Sequence, residues 1–73
     1  MSRHLIKRSF RLAGHATSVA LEPAFWGELE ALAQQKGQSL AALVVSVDEA
    51  RAAQGLPLAS ALRLAALGHA RGM

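Results

Sequence analysis

The sequence predicts a mainly α-helical domain with a short N-terminal β ribbon, completed as an intertwined homodimer. Three observations predict it. Residues 6–12 and 16–21 alternate in polarity as strands do, and three later stretches repeat their apolar residues at helical spacing. The chain has 73 residues and no cysteine, and chains of this size bury only about 60% of the surface they expose when unfolded. With no disulfide or thiolate metal site to help, a second copy is the natural way to finish the core.

The first segment, Ile6-Lys7-Arg8-Ser9-Phe10-Arg11-Leu12, places Ile6, Arg8, Phe10 and Leu12 on one face and Lys7, Ser9 and Arg11 on the other. Arg8 interrupts an otherwise apolar side. Ala13-Gly14-His15 reads as a turn, because Gly14 adopts positive φ without a Cβ penalty. In the second segment Thr17, Val19 and Leu21 share a face, opposite Ala16, Ser18 and Ala20. An isolated strand leaves its backbone donors and acceptors unpaired. Its partner is either residues 6–12 of the same chain or the same segment of a second chain.

Glu22-Pro23 ends the strand and opens a helix over about residues 23–36, since proline lacks the N–H that would go unpaired in a first turn. Glu22 either caps that helix or lies beside its positive end. Phe25, Trp26, Leu29, Leu32 and Ala33 recur at helical spacing, and Lys36-Gly37 closes the helix. Ser39 is the expected N-cap of a second helix over 39–54, striped by Leu40, Leu43, Val44 and Val47 and stopped by Gly55. Asp48, Glu49, Arg51 and Gln54 belong mainly to its wet side. A third helix over 58–70 follows Pro57, and leucine on several of its sides points to more than one neighbour. The whole of 1–73 is read as one domain, with Val19, Leu21, Phe25, Trp26, Leu29, Leu43, Val44 and Val47 as the core of the dimer.

Charge is distributed unevenly. Arg3, Lys7, Arg8 and Arg11 precede residue 22 without a single acid, whereas Lys36, Arg51, Arg63 and Arg71 face five acids afterwards. Two such basic arms side by side would attract a polyanion; the alternative is a solubilising tail. The Gly37-Gln38-Ser39 step presents backbone N–H groups at a helix start, where the dipole favours a phosphate oxygen, and Lys36 adds charge there. Catalysis is poorly supplied. His4, His15 and His69 are scattered, the serines lack a nucleophile-elbow context, and the carboxylates form no evident pair. No metal or cofactor is expected. No apolar run approaches the roughly 18 residues of a membrane span, and no secretory pattern follows the basic start, so a cytoplasmic location is expected.

Thr17-Ser18-Val19-Ala20-Leu21-Glu22-Pro23, then Phe25-Trp26, and later Gly37-Gln38-Ser39-Leu40-Ala41-Ala42-Leu43 resemble the ribbon-helix-helix superfamily of Arc- and MetJ-like repressors. With Lys7-Arg8-Ser9, Gly14-His15 and Leu58-Ala59-Ser60-Ala61-Leu62-Arg63, the sequence looks closest to a small, largely uncharacterised bacterial ribbon-helix-helix domain family. The likeness covers roughly residues 6–69. It implies a homodimer that binds double-stranded DNA and regulates transcription, its antiparallel ribbon entering the major groove. Ala16, Ser18 and Ala20 would face the groove, and Gln38 and Ser39, beside Lys36, would meet phosphates. The extra N-terminal strand and the third helix are additions to the superfamily's minimal plan.

Ala16 and Ala20 carry no side-chain donor, and Ser18 offers no bidentate recognition, so base discrimination from this strand is expected to be weak. Lys7, Arg8 and Arg11 are expected to supply much of the affinity, and removal of residues 1–12 to lower it. The alternative is a protein-interaction or antitoxin-like adaptor with little sequence-specific DNA binding. Antitoxins of this kind often carry a further C-terminal segment that wraps a partner; here little follows the third helix.

Overall fold

The computed structural model describes residues 4–72; Arg3 of the basic arm lies outside the described residues. In chain order the elements are β1 (Ile6–Leu12), β2 (His15–Leu21), α1 (Pro23–Gln35), α2 (Leu40–Gln54) and α3 (Leu58–Ala70). The second strand finds its partner within its own chain: β1 and β2 form an antiparallel hairpin from Ile6↔Leu21 to Leu12↔His15. Only Ala13 and Gly14 lie between the paired ends, with φ of 50° and 82°. Two positive φ values make the type I′ geometry that matches the twist of paired strands. Gly14 adopts it freely, whereas the Cβ of Ala13 makes it cost about 1 kcal/mol.

Cross-strand partners point to the same side of a hairpin. One face therefore carries Ile6, Arg8, Phe10 and Leu12 opposite Leu21, Val19, Thr17 and His15, and Leu12, Val19 and Leu21 on it are buried. Beneath this face lies Trp26, 2% exposed. Its indole Nε1–H donates to the Ile6 carbonyl at 2.8 Å, its ring sits 5.9 Å from that of Phe10, and the Arg8 guanidinium lies 5.1 Å from the ring centre. The tryptophan thus fastens α1 to β1 by a hydrogen bond, an aromatic contact and a cation–π contact. Phe25 serves a different joint. It is half-buried and faces the Arg63 guanidinium of α3 at 5.8 Å.

The residues expected at the core of a dimer already pack together within one chain. Val19, Leu21, Trp26, Leu29, Leu43 and Val44 are all buried by elements of one chain, with Phe25 and Val47 packed partly buried against them. Their cover within the chain comes from β1, which pairs with β2, and from α3, which packs on α1, α2 and β2. Ala61, Leu62 and Ala66 of α3 point inward, and the alanines allow its backbone to approach closely. Several neighbours of α3 belong to its own chain, and Leu64 and Leu67 remain exposed.

Local chemistry sets the helix ends. Pro23 opens α1, but Glu22 makes no side-chain cap; its carboxylate accepts from Arg63 at 3.0 Å. At the other end Gly37, with φ 69°, reverses the chain so that its N–H reaches the Gln34 carbonyl and that of Gln38 the Ala33 carbonyl. This paired closure is the Schellman pattern. Ser39 caps α2 as expected, its Oγ accepting from the Ala42 N–H at 3.0 Å. Arg51 ties the α2–α3 loop, donating to Asp48 at 2.9 Å and to the Leu56 carbonyl at 3.0 Å. No helix among the described residues is long and apolar enough to cross a membrane.

Two substitutions test these joints in equilibrium unfolding followed by circular dichroism. Trp26→Phe should cost about 1 kcal/mol, chiefly the bond to the Ile6 carbonyl, and Trp26→Ala about 3–5 kcal/mol through the cavity it leaves. A Trp26→Phe variant as stable as the native chain would refute the hydrogen bond as a separate contribution. Ala13→Asn, which relieves positive φ at the turn, should raise stability by roughly 0.5–1 kcal/mol.

Candidate nucleic-acid interface

The register that sends Trp26 beneath one face of the hairpin leaves the other face open. It pairs Lys7 with Ala20, Ser9 with Ser18 and Arg11 with Ala16, and all but the half-exposed Ala20 are exposed. The three residues read as a groove face on β2 therefore share their surface with the two cations of β1. Each long basic side chain stands opposite an alanine, and the centre is a serine pair whose hydroxyls lie 2.9 Å apart. The Arg11 guanidinium also donates to the Gly14 carbonyl at 3.3 Å, near the turn. No residue of this face is acidic.

Arg8 is separated from that surface by strand parity. It emerges on the Trp26 side and donates to Glu30 of α1 at 2.7 Å. Both side chains remain well exposed, so this pair stabilises by at most about 1 kcal/mol. Its effect is geometric: the basic arm divides into Lys7 and Arg11, which are presented, and Arg8, which is held. Removing residues 1–12 would take away β1 and uncover β2 and Trp26, so such a truncation would report on folding as much as on affinity.

The edges of the hairpin matter too. With Leu12 and His15 joined across a two-residue turn, alternate residues of β2 direct their backbone groups away from β1. Those residues are Ala16, Ser18 and Ala20. The far edge of β2 thus offers N–H and C=O groups to a further strand, and only small side chains flank it.

At the start of α2 the donors differ from those the sequence suggested. The N–H groups of Gly37 and Gln38 are spent on α1 carbonyls, and Ser39 Oγ is engaged by Ala42. This follows from the tight closure of α1, which uses the connecting residues to satisfy its own last turn. The donors left pointing out of the helix are the N–H groups of Leu40 and Ala41, which have no carbonyl one turn earlier to bond. Lys36 is exposed beside them in sequence, and the half-buried Gln38 keeps its side-chain amide available.

Other polar contacts were not legible from spacing, because each joins residues 41 positions apart. His69 Nδ1 of α3 lies 2.8 Å from Glu28 of α1, and Arg63 reaches Glu22. Both pin α3 across α1. Between α2 and α3 a groove of about 200 Å³ is lined largely by apolar side chains, among them Val47, Leu56 and Leu64. Among the described residues no group of three or more His, Cys, Asp or Glu side chains could hold a metal ion.

The arrangement is a hairpin with a basic outer face on a three-helix core. A family model described as a ribbon-helix-helix domain matches residues 5–70, and the chain belongs to that family. Neither a search of curated proteins nor one of solved structures finds a match. The ribbon-helix-helix domain family is non-catalytic, and membership is consistent with DNA binding and transcriptional regulation in general.

One charged contact here has a pH signature. The backbone N–H of Glu22 and the Arg63 guanidinium hold the Glu22 carboxyl below the usual glutamate value of 4.5. A depressed folded-state value adds stability that is present above the ordinary value and is lost as pH falls through the folded one. Glu22→Gln should therefore lose less stability than the native chain between about pH 6 and pH 3. Identical acid limbs in urea titrations would contradict the assignment.

Proposed function

We propose that the chain is a DNA-binding transcriptional regulator that works as a homodimer, applying the outward face of its hairpin to the major groove. The observation that carries this reading is the segregation of charge by strand parity. Lys7 and Arg11 share one exposed face with Ser9, Ser18 and two alanines, while Arg8 is tied to Glu30 behind them. Dimerisation would join two hairpins along the far edges of their β2 strands, antiparallel, in a four-stranded sheet. The start of α2, with the N–H groups of Leu40 and Ala41, Gln38 and Lys36, would hold a phosphate through its oriented donors. Ser39 contributes by capping the helix that presents them. Family membership supports the reading, and the sequence likeness points within the superfamily to the small bacterial domain family named above.

A second reading, a protein-interaction or antitoxin-like adaptor, is favoured by a different feature. Leu64 is 57% exposed and Leu67 43%, and Leu64 borders the apolar groove between α2 and α3.

Duplex binding measured as a function of salt separates the two. A dimer with several phosphate contacts should lose affinity with a slope of about −0.9 per neutralised phosphate on logarithmic axes. Lys7→Ala combined with Arg11→Ala should flatten that slope by about 2 or more and lower affinity at least tenfold at low salt. Absence of duplex binding at about 50 mM salt would give the adaptor reading first place.

A further inference from the structure

We infer that the hairpin sheet grips the two phosphate walls of the major groove rather than reading base edges, so that the protein binds duplex DNA with little regard to sequence. This rests on the reading above, and it follows from the width of the sheet and the placement of long and short side chains across it. Joined through β2, two hairpins have the strand order β1, β2, β2, β1. Strands lie about 4.8 Å apart, so the two outer strands are separated by about 14 Å. The major groove is about 12 Å wide and admits a two-stranded ribbon. A four-stranded sheet does not fit within it and must lie across its mouth.

The side chains match that placement. The central strands carry Ala16, Ser18 and Ala20, which are too short to reach base edges from the mouth of the groove. The outer strands carry Lys7 and Arg11, whose long stems end in cations at the margins, where the phosphates run. Along β1 these two lie four residues apart, roughly 13 Å, so successive phosphates of one wall come within reach of both. The Ser9–Ser18 hydroxyl contact engages the one short polar pair of the face with itself. Charge at the edges and small groups at the centre suit a phosphate clamp, whereas base readout needs long polar groups at the centre.

The test is fluorescence anisotropy with the full chain and three labelled duplexes of about 25 base pairs and unrelated sequence, at about 50 and 200 mM salt. Affinities should agree within about tenfold, where a sequence-specific protein separates sites by 10³ or more. Arg11→Lys, which keeps the charge but loses the planar fork, should bind within about threefold of the native chain, and Arg11→Ala should lose about tenfold or more. A duplex selected from a random pool that binds a thousandfold better than the three would overturn the inference. So would Arg11→Lys failing as badly as Arg11→Ala, since that pattern marks bidentate contact with a guanine. If no duplex binds at all, the DNA-binding reading itself falls and this one with it, an outcome distinct from tight but selective binding.

Discussion

The architecture depends on Trp26. An indole that is almost wholly buried must still find a partner for its N–H, and here the partner is the backbone of Ile6 at the start of β1. That bond, with Phe10 and the Arg8 guanidinium against the ring, holds β1 down on α1. Once β1 is held, β2 has a strand to pair with, the turn at Ala13-Gly14 is fixed, and the inner face of the hairpin closes the core. The outer face inherits its composition from the same register. A slip of one residue would put Lys7 and Arg11 on the tryptophan and turn Arg8 and Phe10 to solvent.

Much of this was legible in the residues themselves. Alternation in 6–12 and 16–21, Pro23 after the second strand, the Ser39 cap and the Gly37 and Gly55 stops each report a local constraint, and local constraints survive folding. The faces of β2 were legible for the same reason, since side-chain parity in a strand needs no tertiary information. What alternation could not supply was the identity of the partner strand. Pairing with β1 uses the backbone groups of His15, Thr17, Val19 and Leu21, and what holds β1 in place is a contact between residues 6 and 26 whose chemistry is invisible to periodicity. The length argument for a second copy left out what one chain can bury by itself. It weighed the size of the chain but not the capacity of an alanine-rich α3 to sit close against α1 and α2.

The candidate interface was legible in part. The clustering of cations before residue 22 is plain from the sequence, and Lys7 and Arg11 on one face follow from parity. Arg8 on the apolar side looked like an imperfection in a strand pattern. In the fold it becomes a link between hairpin and helix, because Glu30 and the Trp26 ring lie where a guanidinium on that side must pass. The Gly37-Gln38-Ser39 connection misled in the opposite direction. A short link between helices was read as a source of free donors, yet the shorter the link, the more its N–H groups are needed to satisfy the carbonyls of the helix just ended.

The closure of the core within one chain has a kinetic consequence. A protein whose apolar interior forms only between two copies folds at a rate set by how often the copies meet, and its stability rises with its concentration. Here the strand ladder, the buried tryptophan and the covering third helix all belong to a single polypeptide, so these particular contacts form at a rate that does not depend on concentration. Concentration would enter only through what the exposed Leu64 and Leu67 and the far edge of β2 meet outside the chain.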